Sequence, residues 1–115
     1  MGARVLVVED EIVVALFLED LLSEFGYAVA GVVSRLDEAM AHAPDYDVAL
    51  LDVHLNGRDV FDFADLLAAR DTPFIFTTGY GVRGIPERHC ARPVLQKPFQ
   101  AHHLEQAIAT ILPAA

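Results

Sequence analysis

An acidic triplet, Glu9-Asp10-Glu11, closes a short apolar run in this 115-residue chain, and single reactive residues close other runs: Asp52 after VALL, Thr78 after FIFT and Lys97 after VLQ. Carboxylates crowded together raise one another's pKa, so such a group is stable at neutral pH only with a cation among them. Hard oxygen ligands select Mg²⁺ or Mn²⁺, which keep several waters and hold phosphate oxygens. The chemistry implied is therefore phosphoryl chemistry, with a cation neutralising both the carboxylates and an incoming phosphoryl group. Lys97 is the only lysine among eight basic residues, and it stands where a compact ammonium would reach a phosphate on Asp52.

Taken singly, each residue has an ordinary explanation. Acidic residues at a helix start are favoured by its dipole, so Glu9-Asp10-Glu11 alone reads as structural. Asp52 alone suits a turn, Thr78 alone suits a strand, and Lys97 alone suits a solvated surface. Their joint occurrence at strand ends is what carries the reading.

The elements that must position them alternate. Arg4–Val8, β-branched and apolar on both faces, and Val48–Asp52 read as buried strands, and Ala28–Val33, Phe74–Thr78 and Val94–Gln96 as further strand candidates. Helical spacing runs through 11–25, with Val14, Phe17, Leu18, Leu21 and Phe25 facing inward and Gly26 as the residue after the C-cap. Further helices are expected over 34–42, capped by Ser34 and stopped by Pro44, over 59–70, with Phe61, Ala64, Leu66 and Leu67 inward, and over 100–112. Asn56-Gly57 reads as a tight turn. Between Thr78 and Val94 the rhythm asks for a fourth crossover helix. Gly79, Gly81, Gly84, Pro86 and Pro93 oppose one, so a loop with at most one helical turn, at 86–89, is expected. Strands alternating with helices give a doubly wound α/β parallel sheet, whose ligand site lies beyond the carboxyl ends of the strands, where the reactive residues collect.

Composition narrows the function classes. A net charge of −9 argues against a nucleic-acid binder or an anionic membrane surface as partner. At 54% apolar the chain is too hydrophobic to be disordered, and its single Cys90 forms no internal disulfide. No apolar run approaches the roughly 20 residues that cross a bilayer, and the start does not read as a signal peptide. A soluble, cytoplasmic, single domain over residues 1–115, with no output domain, is expected. His42, His89, His102 and His103 show no metal-ligand spacing and read as surface residues, and Cys90 reads as a bystander.

Four segments, VLVVEDE at 5–11, VALLDVHLNG at 48–57, PFIFTTGYG at 73–81 and LQKPF at 95–99, resemble the receiver domain of bacterial two-component response regulators, the CheY-like family, over essentially the whole chain. The resemblance implies a flavodoxin-like, five-stranded sheet in the order 2-1-3-4-5. It implies Asp52 as phosphoacceptor, with Glu9, Asp10, Asp52 and the backbone carbonyl of His54 as Mg²⁺ ligands. It further implies Thr78, Gly79 and Lys97 as phosphoryl-binding and switch residues, and Pro98 following a cis peptide bond. His54 and Tyr80 flank the phosphoryl site and would tune the lifetime of the acyl phosphate, or else are plain exposed loop residues. The phosphoryl donor would be a sensor histidine kinase or a histidine phosphotransfer protein. No separate substrate turnover is implied, so the domain is not an enzyme in the ordinary sense.

Departures from the family pattern are informative. Asn56 stands where many receivers carry Pro, and Val94 where many carry a switch Tyr or Phe. With the Gly-rich segment after Thr78, this is similar to an alphaproteobacterial, single-domain subgroup with a Pro-Phe-x-Phe-Ala-Thr-Gly strand, here with Thr77 for Ala. Signalling is then expected to run through ordering of residues 79–93, with Tyr80 as a substitute aromatic. Ile12, Ala15 and Leu16 lie off the expected core face of the first helix and, with Pro98-Phe99 nearby, offer a docking surface for a kinase helix pair, or else Ile12–Leu18 is simply a well-buried helix. The alternatives are a phosphorylation-independent interaction module, a flavin carrier, which the acidic first loop disfavours, and an aspartyl-phosphate hydrolase, for which the chain is short. The downstream target and oligomeric state, including a weak homodimer, stay open.

Overall fold

Apolar runs without polar alternation belong in strands covered on both faces, and Arg4–Val8 and Val48–Asp52 take that role as β1 and β3. The structure, a computed structural model, describes residues 2–79 and 83–112. In chain order it comprises β1, α1 (Ile12–Glu24), β2 (Ala28–Val33), α2 (Leu36–Ala41), β3, the short strands β4 (His54–Leu55) and β5 (Arg58–Asp59), and α3 (Phe61–Ala69). There follow β6 (Phe74–Thr78), a 3₁₀ turn (Glu87–His89), β7 (Val94–Gln96) and α4 (Ala101–Ile111). Five strands form one parallel sheet in the order β2-β1-β3-β6-β7, while β4 and β5 pair as an antiparallel hairpin. With the hairpin left out of the count, this is the doubly wound 2-1-3-4-5 order.

Helices cover both faces. On one, Phe63, Ala64 and Leu67 of α3 pack with Phe74 and Phe76 of β6. On the other, Leu18, Leu21 and Leu22 of α1 meet Leu104 and Ile108 of α4 across Ile75. Each large side chain fully buried in this way contributes about 1.5–3 kcal/mol relative to exposure. Among the described residues no helix is long and apolar enough to cross a membrane.

All five main strands match the sequence bounds, and among the described residues the β6–β7 connection holds one short helical turn, as its glycines and prolines allow. Helix faces differ in detail. Ala15 is buried, not off the core face, whereas Phe17 is 45% exposed. The unbroken apolar run over 12–18 hides the periodicity, and the line of contact passes through 15, 18 and 22. On α3 the centre of the face is Phe63, with Phe61 and Leu66 only partly buried. Ser34 does not cap α2; Arg35 occupies the N-cap, and Ser34 instead bonds Glu38 through its hydroxyl and its N–H. His102 and His103 are exposed and His42 is partly buried, but His89 is buried, contrary to its reading as a surface residue.

Candidate functional site

Parallel register brings the reactive strand ends side by side. Asp52 pairs with Thr77, and Thr78 with Gln96, so the residues that end β3, β6 and β7 follow one another across the sheet edge. The N–H of Lys97 donates to the carbonyl of Thr78 at 2.8 Å, and the N–H of Glu9 to that of Val33 at 3.0 Å. The backbone beneath the site is thus held by sheet hydrogen bonds. The Lys97-Pro98 peptide is cis, as expected.

Glu9, Asp10 and Asp52 each present a carboxylate oxygen to a common point, all within 4.8 Å of one another. Glu9 and Asp52 are buried and Asp10 partly so. Lys97 closes the group: its Nζ lies 3.0 Å from Glu9 Oε2 and 3.3 Å from Asp52 Oδ2. Backbone donors complete the set. The N–H of Glu11 donates to Glu9 Oε1 at 3.1 Å, that of His54 to Asp52 Oδ1 at 3.2 Å, and that of Asn56 to Asp10 Oδ2 at 2.9 Å. Asn56 adopts a positive φ of 49° at the tip of the β4–β5 hairpin, and its side-chain amide donates to the carbonyl of Ser34 at 3.1 Å. Proline at this position would have neither that φ nor that N–H.

One ammonium does not balance three carboxylates. Burial, reinforced by Asp52, pushes Glu9 up to about 7 against the pull of Lys97. Burial also raises Asp52, although Glu9 and Lys97 oppose the shift. Asp10 is pushed up by burial too, but the N–H of Asn56 and the neighbouring carboxyls outweigh this and hold it below its ordinary value. Lys97 loses by burial and gains more from Glu9 and Asp52, so it is raised. The upward shift of both Glu9 and Asp52 marks a site that lacks positive charge, and hard oxygen donors in this number suit a divalent cation of the Mg²⁺ class.

The structure therefore gathers Glu9, Asp10, Asp52, Thr78 and Lys97 at one sheet edge, as the spacing predicted. Thr78 is buried at its end of β6, and Gly79 follows it, exposed, with open space where a side chain would begin. His54 is exposed and contributes its N–H to Asp52. Tyr80 lies outside the described residues. Two contacts escape sequence reasoning. Lys97 lies nearer Glu9 than Asp52, and Asn56 grips Asp10; the Asn-Gly turn four residues beyond Asp52 is the one signal in the sequence for the second, and by itself it indicates only a turn.

Comparison with known proteins agrees with this geometry. A family model described as the response regulator receiver domain matches residues 5–109. The transcriptional regulatory protein PdtaR of Mycobacterium tuberculosis is 34% identical over 113 residues, covering 91% of this chain and 54% of that protein. The solution structure of SdrG from Sphingomonas melonis is 39% identical, with a TM-score of 0.85 and 96% of each chain covered. A receiver domain of a sensor histidine kinase from Pseudomonas aeruginosa, with magnesium ion coordinated in the active site cleft, is 27% identical with a TM-score of 0.81, covering 96% of this chain and 97% of that one. The chain spans about half the length of the curated relatives it matches.

Proposed function

The chain belongs to the response regulator receiver domain family, and on that premise we propose that it accepts a phosphoryl group from a phosphohistidine onto Asp52 and signals by conformational change and protein contact. The observation that supports this most directly is Lys97 Nζ set between Glu9 and Asp52 inside a three-carboxylate cluster. A phosphorylation-independent interaction module is not needed to account for that arrangement.

Glu9, Asp10, Asp52 and the backbone carbonyl of His54 would hold Mg²⁺, and Mn²⁺ meets the same donor requirements. When bound, the cation offsets the charge of these carboxylates and of the incoming phosphoryl oxygens. An oxygen of Asp52 attacks phosphorus in line with the phosphorus–nitrogen bond; the new oxygen–phosphorus bond forms as that bond breaks and the donor imidazole leaves. Lys97, already 3.3 Å from Asp52, turns from Glu9 to the phosphoryl oxygens. The Thr78 hydroxyl and the Gly79 N–H bond the remaining oxygens, and the movement of Thr78 pulls the connection that follows. His54 and Tyr80 regulate access of water to the acyl phosphate. The domain thereby assists its own phosphorylation and dephosphorylation without turning over a separate substrate.

The donor is a sensor histidine kinase or a histidine phosphotransfer protein in the cytoplasm. Its helices dock on α1, where Ile12, Val13, Leu16 and Phe17 are all exposed beside a groove of about 390 Å³ lined in part by Val14, Pro98 and Phe99. Incubation with acetyl phosphate and Mg²⁺ followed by intact-mass measurement tests the assignment. One phosphoryl adduct is expected on wild type and none on Asp52→Ala. An adduct that persists in the variant, or none with any phosphodonor or kinase, overturns it.

A further inference from the structure

Among the described residues the connection from β6 to β7 holds no α-helix to cover the sheet, yet it is seated by one buried residue. His89, at the end of the 3₁₀ turn, is 3% exposed. Its imidazole stands edge-on to Phe74 and Phe76 of β6, with ring centres 5.7 and 5.9 Å away, and stacks on Phe61 of α3 at 6.4 Å. Nε2 lies 2.7 Å from Asp65 Oδ1 of α3, and the guanidinium of Arg88 bonds both oxygens of the same carboxylate at 2.8 and 3.1 Å. Asp65, Arg88 and His89 thus clasp the connection to α3.

A phenylalanine would fill this aromatic slot as well. It would also avoid the buried Nδ1, which has no hydrogen-bond partner among the described residues and is a standing cost. What histidine adds is the directional bond to Asp65. Strand alternation puts Phe74, Phe76 and Thr78 on one face of β6, the face on which His89 sits. Phe74, Phe76, Thr78 and His89 are all buried there, and protein interiors are close-packed, so a side chain that leaves that face must be replaced by another. Phe61 is fixed on a helix, and Phe74 and Phe76 on a central strand. His89 alone among these rings is carried by the connection, in which the described residues form only the three-residue 3₁₀ turn.

Resting on the reading of Asp52 and Thr78 given above, we propose that His89 is the positioning residue that couples the phosphoryl site to the β6–β7 connection. When the Thr78 side chain turns toward Asp52, the His89 ring shifts into the space left beside Phe76, and the Asp65–His89–Arg88 clasp opens. His89 then does the work of the aromatic that Val94 does not supply, from the other end of the connection.

Because coupling is reciprocal, opening the clasp by mutation must favour occupancy of the phosphoryl site. The probe is beryllofluoride with Mg²⁺, a phosphoryl analogue, titrated against wild type, Asp65→Ala and His89→Phe. Asp65 is exposed and touches no residue of the carboxylate cluster, so Asp65→Ala tests the coupling even if His89→Phe fails to fold. Both variants are expected to bind the analogue at least about fivefold more tightly than wild type, and the His89 ring resonances of wild type are expected to shift on binding. Unchanged affinity in Asp65→Ala while wild type binds the analogue overturns the coupling alone. Failure of wild type to bind the analogue overturns the reading of the site, and the coupling with it.

Discussion

Lys97 reaches past Asp52 to Glu9: its Nζ is 3.0 Å from Glu9 Oε2 and 3.3 Å from Asp52 Oδ2. The lysine is therefore already in use before any phosphoryl group arrives, as counter-charge to a buried carboxyl. Breaking such a buried arrangement by removing one partner leaves charge uncompensated and costs about 3–5 kcal/mol where no proton can be taken up. Here a proton can be taken up, since Glu9 is raised to about 7. Three conditions of the site follow from this economy of charge, namely its pH response, the grip on Asp10 and its independence from the docking face.

Stability without divalent cation is expected to fall as pH rises toward neutrality. The native state keeps a proton on Glu9 up to about 7, while the unfolded chain releases it near 4.5, so the native state binds more protons in that window and loses stability across it. Urea denaturation in EDTA should show a loss of about 1–3 kcal/mol between about pH 5 and pH 7 that Glu9→Gln lacks. Mg²⁺ competes with the same proton, so it should flatten the wild-type profile and bind more tightly as pH rises through the window. Parallel profiles for wild type and Glu9→Gln in EDTA would contradict the raised Glu9.

The hairpin tip is expected to act through its backbone. Asn56→Gly keeps the N–H that holds Asp10 and suits the φ of 49°, losing only the amide bond to Ser34, so stability should change by no more than about 1 kcal/mol. Asn56→Pro removes the N–H and cannot adopt that φ, and should cost about 2–4 kcal/mol and weaken Mg²⁺ binding about tenfold. Denaturation and Mg²⁺ titration followed at the His54 amide measure both. A proline variant that binds Mg²⁺ like wild type removes Asn56 from the site.

The docking face should separate from the chemistry. Ile12 is 74% exposed and Leu16 54%, so the double change Ile12→Ser and Leu16→Ser should alter stability by less than about 1 kcal/mol, whereas Leu18→Ala in the core should cost about 2–5 kcal/mol. Phosphotransfer from a cognate kinase should slow about tenfold in the double variant, a loss of roughly 1.4 kcal/mol in transition-state binding, with acetyl phosphate labelling unchanged. An intact kinase rate would remove α1 as the docking face.

How much of this was legible in the sequence depended on what each residue has to satisfy. Strands buried on both faces announce themselves, because every position must be apolar, and β3 and β6 have the bounds that rule implies. Glycine and proline between Thr78 and Val94 exclude a helix for reasons local to the backbone. Helix faces are harder when the helix carries apolar residues all round, and α1 does so: its Ala15 is buried while Val13 is not. His89 is illegible because its burial depends on a carboxylate 24 residues away and on three rings from two other elements. The gathering of Glu9, Asp10, Asp52, Thr78 and Lys97 at strand ends was readable because topology alone places them there. The exact partner of Lys97 was not, since a flexible stem near two carboxylates chooses by fractions of an ångström.

The register between β6 and β7 gives the domain an uneven tolerance for insertions. Residues added near 84–86, in the middle of the connection, should leave Thr78 paired with Gln96 and leave Lys97 where it is. A single residue added between Val94 and Lys97 instead reverses the side of the sheet on which every following position falls. It would carry the one lysine away from Glu9 and Asp52 while leaving the strand itself intact. Length variation in this fold can therefore accumulate in the connection ahead of Arg88 and His89, whereas in the three residues before Lys97 it is all or nothing.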